Sequence, residues 1–154
     1  MMPSNSDINR DNLVFRLSLL TRRCRQIIDN EFQDAGLTEA TWRPLLHLHV
    51  LGNQSKQKDL AASVGIEGAT LVRLIDTLVD KGLIQRTEDS SDRRKNLISL
   101  TEEGRSTVER LRKIIDPLQE QLLSDFSDKD IATIGKFILT LESKVRNFWQ
   151  ELRR

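Results

Sequence analysis

The sequence predicts a mainly α-helical fold with a small β wing, namely a winged helix-turn-helix flanked by long N- and C-terminal helices. Two apolar runs at helical spacing end at Gly65 and Gly82 in the middle of the chain. Glycine is favoured just past a helix end, where the backbone adopts positive φ. Two β-prone segments around a charged tip follow the second glycine. Helix, turn, helix and hairpin in this order are typical of a module that reads duplex DNA.

The second of these helices, placed at 67–81, divides into an apolar and a polar face. Its apolar residues recur at steps of three and four and predict a side that faces the core: Leu71, Leu74, Ile75 and Leu78. Its first turn carries the small or polar residues Gly68, Ala69 and Thr70, which let the backbone approach a groove closely. Arg73 lies off the apolar stripe. We expect these four residues to contact DNA.

The segment after Gly82 predicts a hairpin with a cationic tip. Strands are expected at 83–87 and 96–101, and the wing at 88–96. Arg93, Arg94 and Lys95 crowd its tip. A guanidinium on a hairpin suits a narrow minor groove, where negative potential is concentrated. Asp92 is expected to orient Arg94 by charge-assisted hydrogen bonds. Arg86, at the base of the wing, is expected to reach a phosphate.

These segments resemble the MarR family of bacterial regulators, and within it the SlyA-like branch. The resemblance lies in LTEATW at 37–42, GIEGATLVRLIDTLVDKGLI at 65–84 and DRRKNLISLTEEG at 92–104. The wing motif is the most specific of the three. The resemblance implies a homodimer, a pseudo-palindromic operator and often an aromatic or phenolic effector. It also implies an arginine in contact with DNA at position 73.

Composition narrows the function classes. The net charge is only +1, so DNA binding must depend on local placement of Arg and Lys rather than on a polycationic surface. No apolar run approaches the roughly 20 residues that cross a bilayer, and residues 1–10 lack an apolar signal core. A single cysteine, Cys24, excludes an internal disulfide. We therefore expect a soluble cytoplasmic protein with no membrane partner.

Three long amphipathic helices flank the winged module, and their apolar faces exceed what it can cover. Residues 1–36 are predicted to form a tail at 1–7 and a dimerisation helix from about Ile8 to Ala35. Residues 37–101 are predicted to form the DNA-binding domain, and 102–154 the C-terminal dimerisation helices. The first of these C-terminal helices is expected to be kinked or broken at Pro117. Exposed apolar surface favours association at roughly 25 cal/mol per Å². The predicted dimer contacts are Leu13, Leu17, Leu20, Ile134, Ile138, Leu141, Val145 and Phe148.

The sequence also suggests where an effector would bind. Trp42 with Arg22 and Arg25 would offer an aromatic wall and guanidinium groups to an aromatic carboxylate; core packing is the competing interpretation of Trp42. Cys24 is interpreted as a packed small residue rather than an oxidation sensor. His47 and His49, two apart on a helix, point different ways, so no metal site is predicted. No catalytic set and no cofactor motif is found.

The resulting hypothesis is a homodimeric transcription regulator, a repressor, that places helix 67–81 in the major groove of an operator and wing 88–96 in the minor groove. A small aromatic acid would release it from double-stranded DNA. One alternative is a winged-helix adaptor that binds proteins without sequence-specific DNA binding, which the near-neutral charge permits. A second is a small-molecule-binding helical enzyme, which the lack of catalytic motifs disfavours.

Overall fold

A computed structural model of the chain describes residues 7–34, 37–66 and 68–153, and for 93–95 it describes the backbone alone. The chain divides into two compact units, Met1–Ile115 and Asp116–Arg154. Six helices and a small antiparallel sheet account for the described residues, in the order α1, α2, β1, α3, α4, β2, β3, α5, α6. The mainly α fold with a small β wing is thus confirmed. The predicted division at 36/37 and 101/102 concerns function and stays a prediction.

Helix α1 spans Leu13–Gln33 and α2 spans Glu39–Leu51. The predicted start of α1 at Ile8 is wrong by several residues. Asn9 instead closes a turn, because its Oδ1 accepts from the N–H of Asn12 at 3.2 Å while Asn12 Oδ1 accepts from the N–H of Asn9 at 3.0 Å. The predicted end at Ala35 and Gly36 lies outside the described residues.

Helices α3, Gln57–Val64, and α4, Ala69–Asp80, form the predicted helix-turn-helix. Gly65 adopts φ of 76°, and its N–H donates to Ala61 O at 2.9 Å, which ends α3. Gly82 adopts φ of 72° beyond α4, and the N–H of Leu83 donates back to Leu78 O at 3.0 Å. Both glycines therefore hold the left-handed conformation expected of them. Ile66 packs against the core between the two helices.

The sheet has three antiparallel strands in the order β1-β3-β2, where β1 is Ser55–Lys56, β2 is Ile84–Asp89 and β3 is Asp92–Leu100. The sequence predicted only two of them. It missed β1, which pairs Ser55 with Ile98 and Lys56 with Leu97. The hairpin strands also extend further towards the tip than predicted, because only Ser90 and Ser91 form the turn.

Helix α5 spans Glu102–Leu123 and α6 spans Asp128–Leu152. Thr101 Oγ1 accepts from the N–H of Gly104 at 3.0 Å, so Thr101 caps α5. The helix continues through Pro117, so of the kink or break predicted there the break is wrong. At the start of α6, Ser127 and Asp130 form a full capping box.

The buried apolar residues described in the first unit form two clusters. The larger lies within the winged module and contains Leu45, Leu48, Leu60, Val64, Leu71, Ile75, Leu78, Leu83, Ile84, Ile98, Leu100 and Val108. The smaller joins the end of α1 to α2 and α5 and contains Phe32, Trp42, Leu111 and Ile115. The rings of Phe32 and Trp42 lie 5.2 Å apart at 60°. Helix α4 is thus held in the core along one face, so its opposite face is left exposed.

Candidate nucleic-acid interface

The start of α4 is exposed and carries only small side chains on its open face. Gly68 precedes the helix with φ of 63°, a conformation that favours glycine, and no described atom lies within 4 Å of where its Cβ would be. Ala69, Thr70 and Arg73 are all exposed, while Leu71 and Ile75 are buried at 3% and 0%. The structure therefore brings the four predicted DNA-contacting residues to one open face. Glu67, at the start of the predicted helix, lies outside the described residues.

The hairpin tip is closed by a local hydrogen-bond set. Asp89 Oδ1 accepts from the N–H of Ser91 at 2.9 Å and from its hydroxyl at 2.7 Å. The pairing register of β2 and β3 shifts between Glu88 and Asp89, so the tip is irregular. The backbone of 93–95 belongs to β3. The side chains of Arg93, Arg94 and Lys95 lie outside the described part, and with them the predicted contact between half-buried Asp92 and Arg94.

Arg86 does not project freely from the base of the wing. It lies on β2 and makes a short hydrogen-bonded ion pair with Asp76 of α4. Its side chain is 33% exposed and that of Asp76 54%. The sequence predicts a phosphate contact for Arg86 and gives no role to Asp76, with which Arg86 pairs in the structure. The signal available was a pair of opposite charges on either side of the Gly82 turn.

A cavity of about 230 Å³ lies between α2 and the helix-turn-helix. Its lining is mostly apolar and comprises Glu39, Ala40, Arg43, Pro44, Val64, Ile66 and Leu74. Arg43 donates to Val64 O at 2.8 Å and lies 3.6 Å from Glu39 Oε1. Burial, and then the positive charge of Arg25, lower the pKa of Arg43. The cavity thus joins an apolar wall to a partly desolvated guanidinium beside α4.

The residues predicted to bind an effector, Trp42, Arg22 and Arg25, do not line this cavity. Trp42 is only 6% exposed, and its indole N–H donates to Asp29 Oδ1 at 3.0 Å. Arg22 and Arg25 are exposed on α1, and Cys24 is half-buried. Trp42 is therefore a core residue with its polar atom satisfied, and what it offers a ligand is a small part of its ring.

The predicted dimer contacts fall into two sets. On α1, Leu13 and Leu17 are half-buried and Leu20 is 51% exposed. Helix α6 has no buried residue at all within Asp128–Leu152. Its predicted contacts run along the helix with the following exposure: Ile134 44%, Ile138 43%, Val145 58% and Phe148 68%, with Leu141 half-buried. Helix α6 therefore presents an apolar face that the single chain leaves open.

The described residues hold no group of three or more His, Cys, Asp and Glu side chains arranged to bind a metal ion. His47 Nδ1 instead lies 2.6 Å from Ser63 Oγ, and burial lowers the pKa of His47, with Arg43 and Arg25 adding to the effect. His49 is exposed. Across the same part of the chain, every helix is too short or too polar to span a membrane.

Comparison with known proteins agrees with this architecture. The model of the MarR family matches residues 37–95. The structure of the transcriptional regulator PA3341 is 30% identical, with a TM-score of 0.79, and the match covers 86% of this chain and 97% of that one. A MarR transcriptional regulator from Methanosarcina mazei Go1 is 25% identical, with a TM-score of 0.72, and the match covers 89% and 99%.

A third solved structure shares the fold. The S. aureus MepR–DNA complex is 24% identical, with a TM-score of 0.73, over 89% of this chain and 99% of that one. The wing motif, the buried face of α4 and the 30% identity to a transcriptional regulator over most of the chain lead to one assignment. The chain belongs to the MarR family of transcriptional regulators.

Proposed function

We propose that the protein is a homodimeric repressor that binds a pseudo-palindromic operator, with α4 in the major groove and the wing in the flanking minor groove. The observation that carries the proposal is the open face of α4. Gly68, Ala69, Thr70 and Arg73 are exposed there, while Leu71, Ile75 and Leu78 hold the opposite face in the core. Small residues allow close approach, and an arginine one turn on supplies a bidentate donor for a base edge or a phosphate.

The wing supplies the second contact. Arg93, Arg94 and Lys95 lie on β3 close to the hairpin tip. The residues on either side of them, Asp92 and Asn96, pair with β2, so their backbone is held at both ends. Asp92 orients Arg94 in this proposal. Arginine inserted into a narrow minor groove gains from the concentrated negative potential there. MepR, which has the same fold, was solved as a complex with DNA.

Dimerisation places two such modules on one operator. The open apolar face of α6, with the exposed part of α1, is the surface we assign to the dimer. Burying it against a second copy is favourable at about 25 cal/mol per Å². A two-fold dimer reads two half-sites roughly 34 Å apart, one turn of the duplex.

A small aromatic acid is the proposed effector. Support comes from the cavity beside α4, which unites apolar walls with Arg43, and from the positive charge of Arg25 nearby. Arg22, Arg25 and Trp42 are the ligand residues proposed from the sequence; none of them lines this cavity, where Arg43 is the cation that would meet the acid. An acid bound between α2 and α4 would release DNA only to the extent that it prefers the arrangement of modules that does not match the operator.

The test is operator binding by wild-type protein and the Arg94→Ala variant. Operator fragments come from sequencing DNA crosslinked to the protein. Arg94→Ala should weaken binding by roughly 1–3 kcal/mol while the dimer stays intact. Arg110→Ala, which removes the same side chain from the exposed face of α5, should bind as wild type. Adding salicylate to the same assay tests release.

Two results would contradict the proposal in different ways. Wild-type affinity in Arg94→Ala would show that the wing does not enter the groove. Each neutralised phosphate should add about −0.9 to the slope of log affinity against log salt. A flat salt response, or no DNA recovered after crosslinking, would favour a protein-binding adaptor instead.

A further inference from the structure

The exposed face of α4, which is proposed to meet the polyanion DNA, carries an acidic residue, Asp76. Asp76 follows Arg73 by three residues, which places the two side chains on neighbouring positions of one helix face. The preceding residue, Ile75, is fully buried, whereas the side chain of Asp76 is 54% exposed. A carboxylate facing phosphates is repelled at short range. Its presence on α4 therefore requires a compensating role.

The partner of Asp76 lies on a different element. Arg86 is the third residue of β2 and stands opposite Ile98 of β3, which is fully buried. Its Nη2 donates to Asp76 Oδ1, across the α4–β2 connection of Lys81, Gly82 and Leu83. Gly82 has φ of 72° in that connection. The ion pair is thus a further link between helix and hairpin, in addition to the α4–β2 connection and to the core that the buried face of α4 shares with β2 and β3.

The exposure of the pair argues against a main role in stability. Exposed ion pairs contribute little to the free energy of unfolding because water screens them. Orientation is a different matter. If helix and wing must meet neighbouring grooves together, a fixed angle between them raises the effective concentration of the second contact once the first is made.

We propose that Asp76 is a positioning residue: through Arg86 it fixes the base of the wing against the recognition helix, so that both reach the duplex in register. The proposal rests on the proposed DNA-binding function. In this proposal Arg86 pairs with Asp76 instead of contacting a phosphate, and its positive charge offsets the negative charge of Asp76. The competing role of Arg86, a direct phosphate contact, makes the opposite prediction for loss of Asp76.

The decisive variant is Asp76→Asn, which removes a negative charge from the DNA-facing helix. If Arg86 contacts phosphate, this change frees Arg86 and relieves repulsion, so binding should tighten. If Asp76 positions the wing, operator affinity should fall roughly twofold to fivefold, the range expected from losing an exposed ion pair. Asp80→Asn, which removes an exposed acid from the end of the same helix, is the matched control and should not weaken binding.

Three further measurements separate positioning from general damage. Asp76→Glu should restore part of the lost affinity. Asp76→Asn combined with Arg86→Gln should be no weaker than the worse single variant, because both break one link. Arg86→Gln should leave the salt slope unchanged, whereas loss of a phosphate contact would reduce it by about 0.9.

A readout without DNA keeps the two proposals distinct. NMR relaxation of the Ser90 and Ser91 amides should show greater motion of the wing in Asp76→Asn, while the amide of Ile98 in the core stays unchanged. Wild-type wing mobility in Asp76→Asn, or affinity equal to or tighter than wild type, would overturn the positioning role. Failure of the wild-type protein itself to bind DNA would overturn the proposed function, and the relaxation data would still decide whether Asp76 orders the wing.

Discussion

The two compact units of the chain differ in how far they bury the apolar stripes of their helices. In the first unit, the apolar stripes of α2, α3 and α4 are covered by their own chain: Leu45, Leu60 and Ile75 are 0%, 1% and 0% exposed. In the second, α6 has an equally regular stripe and no buried residue, and Phe148 is 68% exposed. Helical periodicity therefore shows that a face needs a partner, but not whether the partner is the same chain.

The largest effect is expected from breaking the open face. Leu141→Asp places a charge in the middle of the α6 stripe, where a dimer would have to bury it unpaired. We expect the dimer to dissociate and operator binding to be lost, while the winged module stays folded. Sedimentation velocity, gel shift and circular dichroism measure the three outcomes separately.

The matched control lies two residues away. Ser143 is exposed and sits on the side of α6 opposite the stripe, since two residues advance the helix by roughly 200°. Ser143→Asp adds the same charge and should leave dimer and operator binding as in wild type. A Leu141→Asp monomer that still held a full operator would show that dimerisation is not what joins the half-sites.

A pair of cavity-forming variants sharpens the contrast between the units. Leu45→Ala, in the closed core, should lower the free energy of unfolding by about 2–5 kcal/mol at any protein concentration. Ile138→Ala, on the open face and 43% exposed in the single chain, should destabilise through weaker association. Its deficit should therefore change with protein concentration. Urea unfolding at two concentrations a hundredfold apart tests this; equal concentration dependence in both variants would contradict it.

The elements that the sequence predicted well are those set by local chemistry. Gly65 and Gly82 end α3 and α4 as predicted, each through backbone hydrogen bonds within a few residues. Elements set by distant partners were missed. Strand β1 has only two residues, too few for any alternation, and exists because β3 offers it a free edge.

The candidate site shows the same limit. The open face of α4 followed from periodicity, but the ion pair of Arg86 with Asp76 depends on how β2 folds back towards α4. Gly104, in the first turn of α5, is a further case. A Cβ at Gly104 would lie 1.9 Å from Leu83 O, so only glycine lets α5 approach the α4–β2 connection. No local sequence pattern predicts the ion pair of Arg86 with Asp76 or the close approach of Gly104 to Leu83.

The smallest effect on stability is expected from changing the N-terminal cap of α6, a helix with no buried side chain in the single chain. Hydrogen bonds from the Ser127 backbone N–H and then its hydroxyl lower the pKa of the Asp130 carboxyl. A carboxyl with a depressed folded pKa stabilises the fold above its unfolded pKa, and that contribution is lost as pH falls through the folded value. Asp130→Asn should therefore lower Tm at neutral pH, and its difference from wild type should shrink as the solution is acidified. Asp125→Asn, an exposed acid outside the helix, controls for the change in net charge; an Asp130→Asn deficit that did not vary with pH would show that the charge of Asp130 contributes nothing to the cap.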